Sequence, residues 1–267
     1  MIDFPNCKIN LGLNITQKRP DGFHNIETVF YPVKWTDALE VIEGGTKPFE
    51  LIASGLKIGG NIEENIIFKA YKLLSENSIL PNIKVYLHKV LPMGAGLGGG
   101  SADAAFFLKM ANKKLKLNLS TEKLTDLARK LGSDCAFFIQ NTPVFAKGKG
   151  DEFESYNLDL SQYHILVVYP GINSNTKEAY EGVVPAQPQK SVKEILNQPI
   201  NTWKDFLVND FEKSIFKKYP EIEKLKQQLY DNGAVYASLS GSGSAVFGIF
   251  KEKPEIAFPK TYNWFVQ

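Results

Sequence analysis

Between residues 7 and 15 apolar and polar side chains alternate: Cys7, Ile9, Leu11, Leu13 and Ile15 fall on one side of an extended chain, Lys8, Asn10 and Asn14 on the other. A period of two is that of a strand with one face toward a core, so the pattern predicts a strand whose second, polar face carries Lys8 and Asn10. An Asp21-Gly22 turn leads into a second alternating run, and residues 37–45 and 48–55 read as two further strands. The spacing then changes to a helical one, with apolar residues at 62, 66, 67, 70, 73 and 74. A strand over 83–91 runs into a loop with glycines at 94, 96, 98, 99 and 100, followed by a helix-like run.

The second half mixes the two periods. Residues 120–140 predict a helix, a stop at Gly132 and a second helix or turn starting near Asp134. Residues 142–156 read as a strand with a loose, charged end, and a domain boundary is placed near 155, dividing the chain into 1–155 and 156–267. Beyond it come a buried-type strand at 164–171, a capping box from Ser191 to Glu194, and amphipathic stretches at 203–217 and 220–232. Strands at 234–240 and 244–250 flank Gly-Ser-Gly-Ser, and residues 262–266 predict a last strand. Helices among antiparallel hairpin signals indicate an α+β fold rather than a doubly wound one.

Composition narrows the class. With 267 residues, 43% of them hydrophobic, the chain can bury one large core or two smaller ones and is too apolar for disorder. Lys plus Arg number 31 against 29 for Asp plus Glu, which gives no global attraction to nucleic acid or to a membrane surface and leaves room for a local anion site. The N-terminus shows neither a basic start nor a long apolar core, and no run approaches the ~20 apolar residues that span a bilayer, so a cytoplasmic protein is expected. Cys7 and Cys135 lack the spacing of a metal knuckle or disulfide framework and are expected to be reduced and packed. His24, His88 and His164 are dispersed and do not suggest a zinc site.

Five glycines ahead of a helix are costly for stability, at roughly 0.5–1 kcal/mol each inside regular structure. A glycine-rich turn feeding a helix N-terminus presents several backbone N–H groups and the positive end of the helix dipole, for which phosphate is the natural guest. Walker A spelling is excluded, because Gly99 is followed by Gly100 and Ser101 rather than by Lys-Ser/Thr. Gly94, Gly96 and Gly99 satisfy G-x-G-x-x-G, but no βαβ unit opens there and the protein-kinase HRD and DFG patterns are absent.

The spelling LPMGAGLGGGSADAA instead resembles the phosphate loop of the GHMP kinases, a family of small-molecule kinases. Further ordered matches are PNCKINLGLNITQKRPDGFHNIETVF at the start, LGSDCAFFI, NDFE and LSGSGSAVFGIF. The resemblance implies a two-domain fold, an N-terminal ribosomal-protein-S5-like β/α domain and a C-terminal ferredoxin-like α/β-plait domain, with the active-site cleft between them. It implies ATP and Mg²⁺ as cofactors, and ATP contacts from Pro92, Met93, Gly94, Ala95, Gly96, Leu97, Gly98, Gly99, Gly100, Ser101, Ala102 and Asn65. Asp134 is implied as general base with Lys8 as its partner.

The opening segment is most similar to family members of the methylerythritol phosphate route to isoprenoids and terpenoids, which phosphorylate the 2-hydroxyl of a cytidine-diphosphate-linked methylerythritol. In those members aromatic rings sandwich the base. Carried over, Phe23 and Tyr180 would supply the rings, His24 would read the cytosine edge, Asn10 would contact the polyol, and Thr176, Gly241 and Ser242 would line the pocket. Ser101 is the one implied Mg²⁺ ligand. Cys135-Ala136 departs from the family's Val-Pro after the aspartate.

Local chemistry leaves plainer readings open. Gly132-Ser133-Asp134 is also a good helix N-cap, Lys8 could be a solvated strand residue, His24 an ordinary turn histidine and Asn65 a polar residue at a helix start. At the level of function, the alternatives are a homoserine- or mevalonate-type GHMP kinase, or a nucleotide-binding protein that has lost catalysis. A small-molecule substrate is the expected partner, with no nucleic acid or membrane, and the expected state is a monomer or weak homodimer.

Overall fold

The structure, a computed structural model, describes residues 1–76 and 78–267. After a two-residue β1 (Ile2–Asp3), the alternating run forms β2 (Asn6–Lys18), which turns through Gly22 into β3 (His24–Thr36). From Asn6 to Ile15 both faces of β2 are buried, the polar one included: Lys8 is 3% and Asn10 1% exposed, which excludes the plainer reading of Lys8 as a solvated strand residue. Next come β4 (Ala38–Glu43), β5 (Phe49–Gly55), α1 (Ile66–Ser75), β6 (Ile83–Lys89), α2 (Gly99–Lys114), α3 (Thr121–Leu131) and α4 (Ser133–Gln140). The helical period that began at Ile62 is divided. Residues Ile62–Glu64 make a 3₁₀ turn, and Asn65 restarts the chain as the N-cap of α1, its side chain accepting from the Ile67 N–H.

The charged end after the next strand is not loose. β7 (Val144–Lys147) and β8 (Glu152–Ser155) form an antiparallel hairpin in which Ala146 faces Phe153. Then follow β9 (His164–Tyr169), α5 (Thr176–Glu181), α6 (Val192–Leu196) with the Ser191–Glu194 capping box, α7 (Trp203–Phe206), α8 (Glu212–Lys218), α9 (Pro220–Asp231), β10 (Tyr236–Leu239), β11 (Val246–Phe250) and β12 (Asn263–Val266). The amphipathic stretch at 203–217 breaks into α7 and α8 because the segment between them bonds to β2: Leu13 N–H donates to the Val208 carbonyl, and Asp210 N–H to that of Leu13.

Two compact units interleave along the chain. The first comprises Met1–Cys7, Thr36–Met93 and Gly98–Thr142. Its sheet has the order β1-β4-β6-β5, with β4 antiparallel and β5 parallel to β6; the parallel pair requires a crossover, which α1 supplies. Helix α2 buries Ala102, Ala104, Ala105, Phe106, Phe107, Leu108 and Met110, the signature of an enclosed helix, and packs against α1, α3 and α4.

The second unit comprises Lys8–Trp35, Gly94–Leu97 and Pro143–Gln267. It holds two sheets, β2-β3-β7-β8 and β10-β11-β9-β12, the second antiparallel throughout. Ile222, Leu225 and Leu229 of α9 close its core against Leu166, Val168 and Val246.

Candidate functional site

In the second unit the glycine loop is braced by the turn between β10 and β11. Ser240 Oγ donates to the Gly96 carbonyl at 2.9 Å, Ala245 N–H donates to that of Ala95, and Lys8 N–H to that of Leu97. Gly96 has φ +76°, and a Cβ there would overlap the Ser240 carbonyl oxygen, so both backbone and space demand glycine. Asn209, 2% exposed, secures the opposing turn: its Nδ2 donates to the carbonyls of Leu239 and Gly241, and its Oδ1 accepts from Phe211 N–H.

In the first unit Gly98, at φ +71°, is the N-cap of α2 and offers no side chain to the free helix N–H groups. Gly99 is buried, with room for a Cβ denied by Leu91 at 3.1 Å and Lys89 Nζ at 3.2 Å. Gly100 differs. It is exposed, lies outside the left-handed region, and the nearest atom to a Cβ would be Ile66 Cγ2 at 3.9 Å. Nothing in the fold requires glycine at 100, so its absent side chain is free to admit a ligand to the N-terminus of α2. Ala95, Leu97 and Ala102 bury their side chains and can offer a ligand backbone only, whereas Met93 is exposed.

Lys8 lies in a buried polar chain. Its Nζ donates to Asn10 Oδ1 at 2.7 Å and sits 4.8 Å from the Phe30 ring centroid; Asn10 Nδ2 donates to Thr28 Oγ1 at 3.1 Å, and Thr28 donates to the Gly12 carbonyl at 2.5 Å. An ammonium taken out of water needs such partners. A Cβ on Gly241 would come 3.5 Å from Asn10 Oδ1, which places that turn beside the same chain.

The aromatic residues meet in one place. His24 and Tyr180 stack with ring centroids 4.8 Å apart and planes at 15°, and Phe211 meets Tyr180 edge-on. His24 and Tyr180 border a cavity of about 680 Å³ lined also by Phe23, Thr176, Lys18, Lys149 and Lys177. Phe23 is 58% exposed, with Lys149 Nζ 5.0 Å from its ring centroid. Thr176 Oγ1 lies 3.0 Å from Ser242 Oγ. Burial, and after it the nearby Lys18, lower the pKa of His24 and favour its neutral form. The lysines of this cavity escaped sequence reasoning, as did Asn173, whose Oδ1 would stand 2.6 Å from a Cβ on Gly94. Each is a lone polar residue at a strand end, in a loop or at a helix start, without periodicity to mark it.

Asp134 is half-buried in the first turn of α4, where the helix dipole favours a negative charge. The N-cap of α4 is Gly132, so Asp134 is not its capping residue. Cys135 and Ala136 are buried within a regular helix despite departing from Val-Pro, and burial, aided by the Asp134 charge and opposed by a hydrogen bond with Ser101, pushes the Cys135 thiol up to about 12. Both cysteines are buried thiols. Among the described residues no three His, Cys, Asp or Glu gather into a metal-holding group. Ser101, the implied Mg²⁺ ligand, faces Cys135, so these side chains do not of themselves form a cage for the ion. Among the described residues no helix is long and apolar enough to cross a membrane.

The chain matches the models of the GHMP kinases N terminal domain over residues 65–148 and GHMP kinases C terminal over 191–258. It is 52% identical over 258 residues to a 4-diphosphocytidyl-2-C-methyl-D-erythritol kinase of Bacteroides fragilis, covering 96% of this chain and 94% of the relative. A crystal structure of 4-(cytidine 5'-diphospho)-2C-methyl-D-erythritol kinase superposes with TM-score 0.81 at 30% identity, covering 93% of this chain and 90% of that one. The mevalonate kinase of Methanococcus jannaschii shares the fold, with TM-score 0.68 at 15% identity over 94% of this chain and 90% of that one.

Proposed function

We propose, because the chain belongs to the GHMP kinase family, that it transfers the γ-phosphoryl group of ATP to the 2-hydroxyl of 4-diphosphocytidyl-2-C-methyl-D-erythritol, a step of the non-mevalonate route to isoprenoid precursors. The observation that carries this choice of acceptor is the His24–Tyr180 stack on a cavity lined by Lys18, Lys149 and Lys177. Aromatic faces suit a nucleobase and ammonium groups suit a diphosphate. Homoserine and mevalonate have neither a base nor a diphosphate, and would leave both features without a partner.

In this reading Asp134 orients the 2-hydroxyl and receives its proton late in a loose transition state, and Lys8 steadies negative charge on the acceptor side. Asn10 holds the polyol, Phe23 and Tyr180 stack on the base, His24 meets its edge, and Thr176, Gly241 and Ser242 line the acceptor's path. The loop from Met93 to Ser101 supplies backbone N–H groups to the phosphates of ATP, Pro92 and Ala102 flank it, the Ala102 N–H being held by the Gly98 carbonyl, and Asn65 lies toward the adenine. Ser101 would offer its hydroxyl to Mg²⁺ beside the phosphates of ATP, and the ion would neutralise phosphate charge. We place the boundary between the two family domains near residue 155, and the enzyme in the cytoplasm as a monomer or weak homodimer.

The test is ADP release by the purified protein with ATP, Mg²⁺ and, in turn, the cytidine-diphosphate-linked methylerythritol, homoserine and mevalonate. Turnover with the first alone is expected. Preference for either of the others moves the chain to another branch of the family.

A further inference from the structure

Lys89, the last residue of β6, is 2% exposed, and its Nζ donates to Asp37 Oδ2 at 2.5 Å and Asp103 Oδ2 at 2.7 Å. Asp37, just ahead of β4, is equally buried; its Oδ1 accepts from the N–H groups of Val90 at 2.6 Å and Leu91 at 2.8 Å, the residues that carry the chain from β6 toward the loop. Asp103 is in the second turn of α2, and its Oδ1, also buried, has no hydrogen-bond partner among the described residues. The same Nζ would stand 3.2 Å from a Cβ on Gly99, so the ammonium lies against the first residue of α2.

Three enclosed ionisable groups are a poor device for stability alone. Removing them from water costs about as much as their attraction returns, and apolar side chains of the same volume commonly hold a fold as well. What the cluster does supply is direction. Hydrogen bonds from one ammonium to two carboxylates fix the exit of β6 and the start of α2 in one mutual orientation, which sliding apolar contacts do not. Burial opposes the charge on Lys89, but Asp103 and Asp37 overcome it and raise its pKa, so the cation persists; burial, opposed by Lys89, also pushes the Asp103 carboxyl up to about 8, which leaves Asp37 as the steadier counter-charge.

We propose that Lys89 and Asp103 are positioning residues for the phosphate-bearing ligand: their buried ion pair, anchored through Asp37, holds the first turn of α2 so that its backbone N–H groups converge on phosphate. Neither side chain touches the ligand. This role rests on the assignment of the loop to ATP.

The test compares Asp103→Leu, which removes the acceptor that α2 offers Lys89 and leaves that of Asp37, with Asp103→Asn, which keeps an oxygen in its place, and reads KM for ATP separately from kcat at saturating ATP. Asp103→Leu is expected to raise KM for ATP about tenfold, in line with the penalty for displaced binding groups. Its kcat at saturation and its KM for the acceptor should change less than about threefold, and Asp103→Asn should recover most of the ATP affinity. Should Asp103→Leu not fold, Asp37→Asn replaces it, with a severalfold weaker ATP affinity by calorimetry expected. An Asp103→Leu protein that melts lower yet keeps the wild-type KM for ATP overturns the proposal and leaves the cluster a structural one. Wild-type protein that fails to bind ATP overturns the loop assignment and this inference together, whereas normal ATP binding in every variant overturns only the inference.

Discussion

The His24 ring lies flat on that of Tyr180, 4.8 Å between centroids, although one opens β3 and the other belongs to α5. A base held between two rings needs its flanking planes about 7 Å apart, twice a van der Waals separation. Cytosine therefore does not fit between His24 and Tyr180 as they stand. In the proposed binding mode it would take the Tyr180 face with His24 turned to the base's edge and Phe23 as the ring on the other side.

Edge reading makes a specific demand on the acceptor. Cytosine presents an amino donor and a ring-nitrogen acceptor where uracil reverses both, and each mismatched buried group costs about 1–3 kcal/mol. The cytidine form should be preferred over its uridine counterpart at least tenfold in kcat/KM. Tyr180→Ala should weaken both forms alike, because stacking is indifferent to the edge, and His24→Ala should narrow the gap. Equal use of the two forms by the wild type would contradict edge reading.

The pH profile follows from the same ring. Burial first and Lys18 second lower the His24 pKa, so its neutral form is kept at neutral pH and lost only as the pH falls through that lowered value. KM for the acceptor should stay level from pH 8 down through the ordinary histidine range and climb only below it. The climb should vanish in His24→Gln. A KM already rising as pH falls from 8 to 7 would mean that the ring titrates higher than its surroundings imply.

Asp134→Asn should lower kcat by 10²–10⁴-fold, the usual worth of general acid–base assistance, roughly 3–5 kcal/mol of barrier. ATP affinity should hardly move. Because Gly132 and not Asp134 caps α4, the helix start should survive the change, and the loss of activity should exceed what any loss of stability accounts for. Steady-state kinetics with parallel melting curves separates the two, and unchanged turnover would remove Asp134 from the chemistry.

Gly100→Ala tests the loop. With open space for a Cβ and an unstrained backbone, alanine in α2 should raise stability by up to about 1 kcal/mol. A phosphate approaching the same N–H groups should meet the new methyl, weakening ATP on the order of tenfold, or about 1.4 kcal/mol. A more stable protein with unaltered ATP affinity would show that phosphate does not approach the backbone at that residue.

Much of this was legible in the sequence because the signals were local. The alternation of β2, the Ser191–Glu194 capping box and the glycine stop at 132 each depend on neighbours within a few residues, and each gave its element. Where distant segments decide, the reading failed. Nothing near Lys8 and Asn10 announces Thr28 as the partner that lets their polar face be buried, so the sequence leaves a solvated Lys8 open. The amphipathic run at 203–217 was continuous until β2 claimed the backbone at Val208 and Asp210. The glycines of the loop illustrate both cases: Gly96 answers to Ser240, 144 residues away along the chain, and only Gly100 is left for a ligand to explain.

The central claim is transfer of phosphate to a particular oxygen, and phosphorus NMR of the reaction mixture reads that oxygen directly. Carbon 2 of the acceptor bears a methyl group in place of hydrogen, so an ester at the 2-hydroxyl has no carbinol proton three bonds from phosphorus. The account predicts one new phosphomonoester resonance, unsplit by such coupling, growing in step with ADP. A doublet or triplet would place the phosphate on a secondary or primary hydroxyl, and ATP consumption without any new ester would deny the transfer; either result contradicts the account.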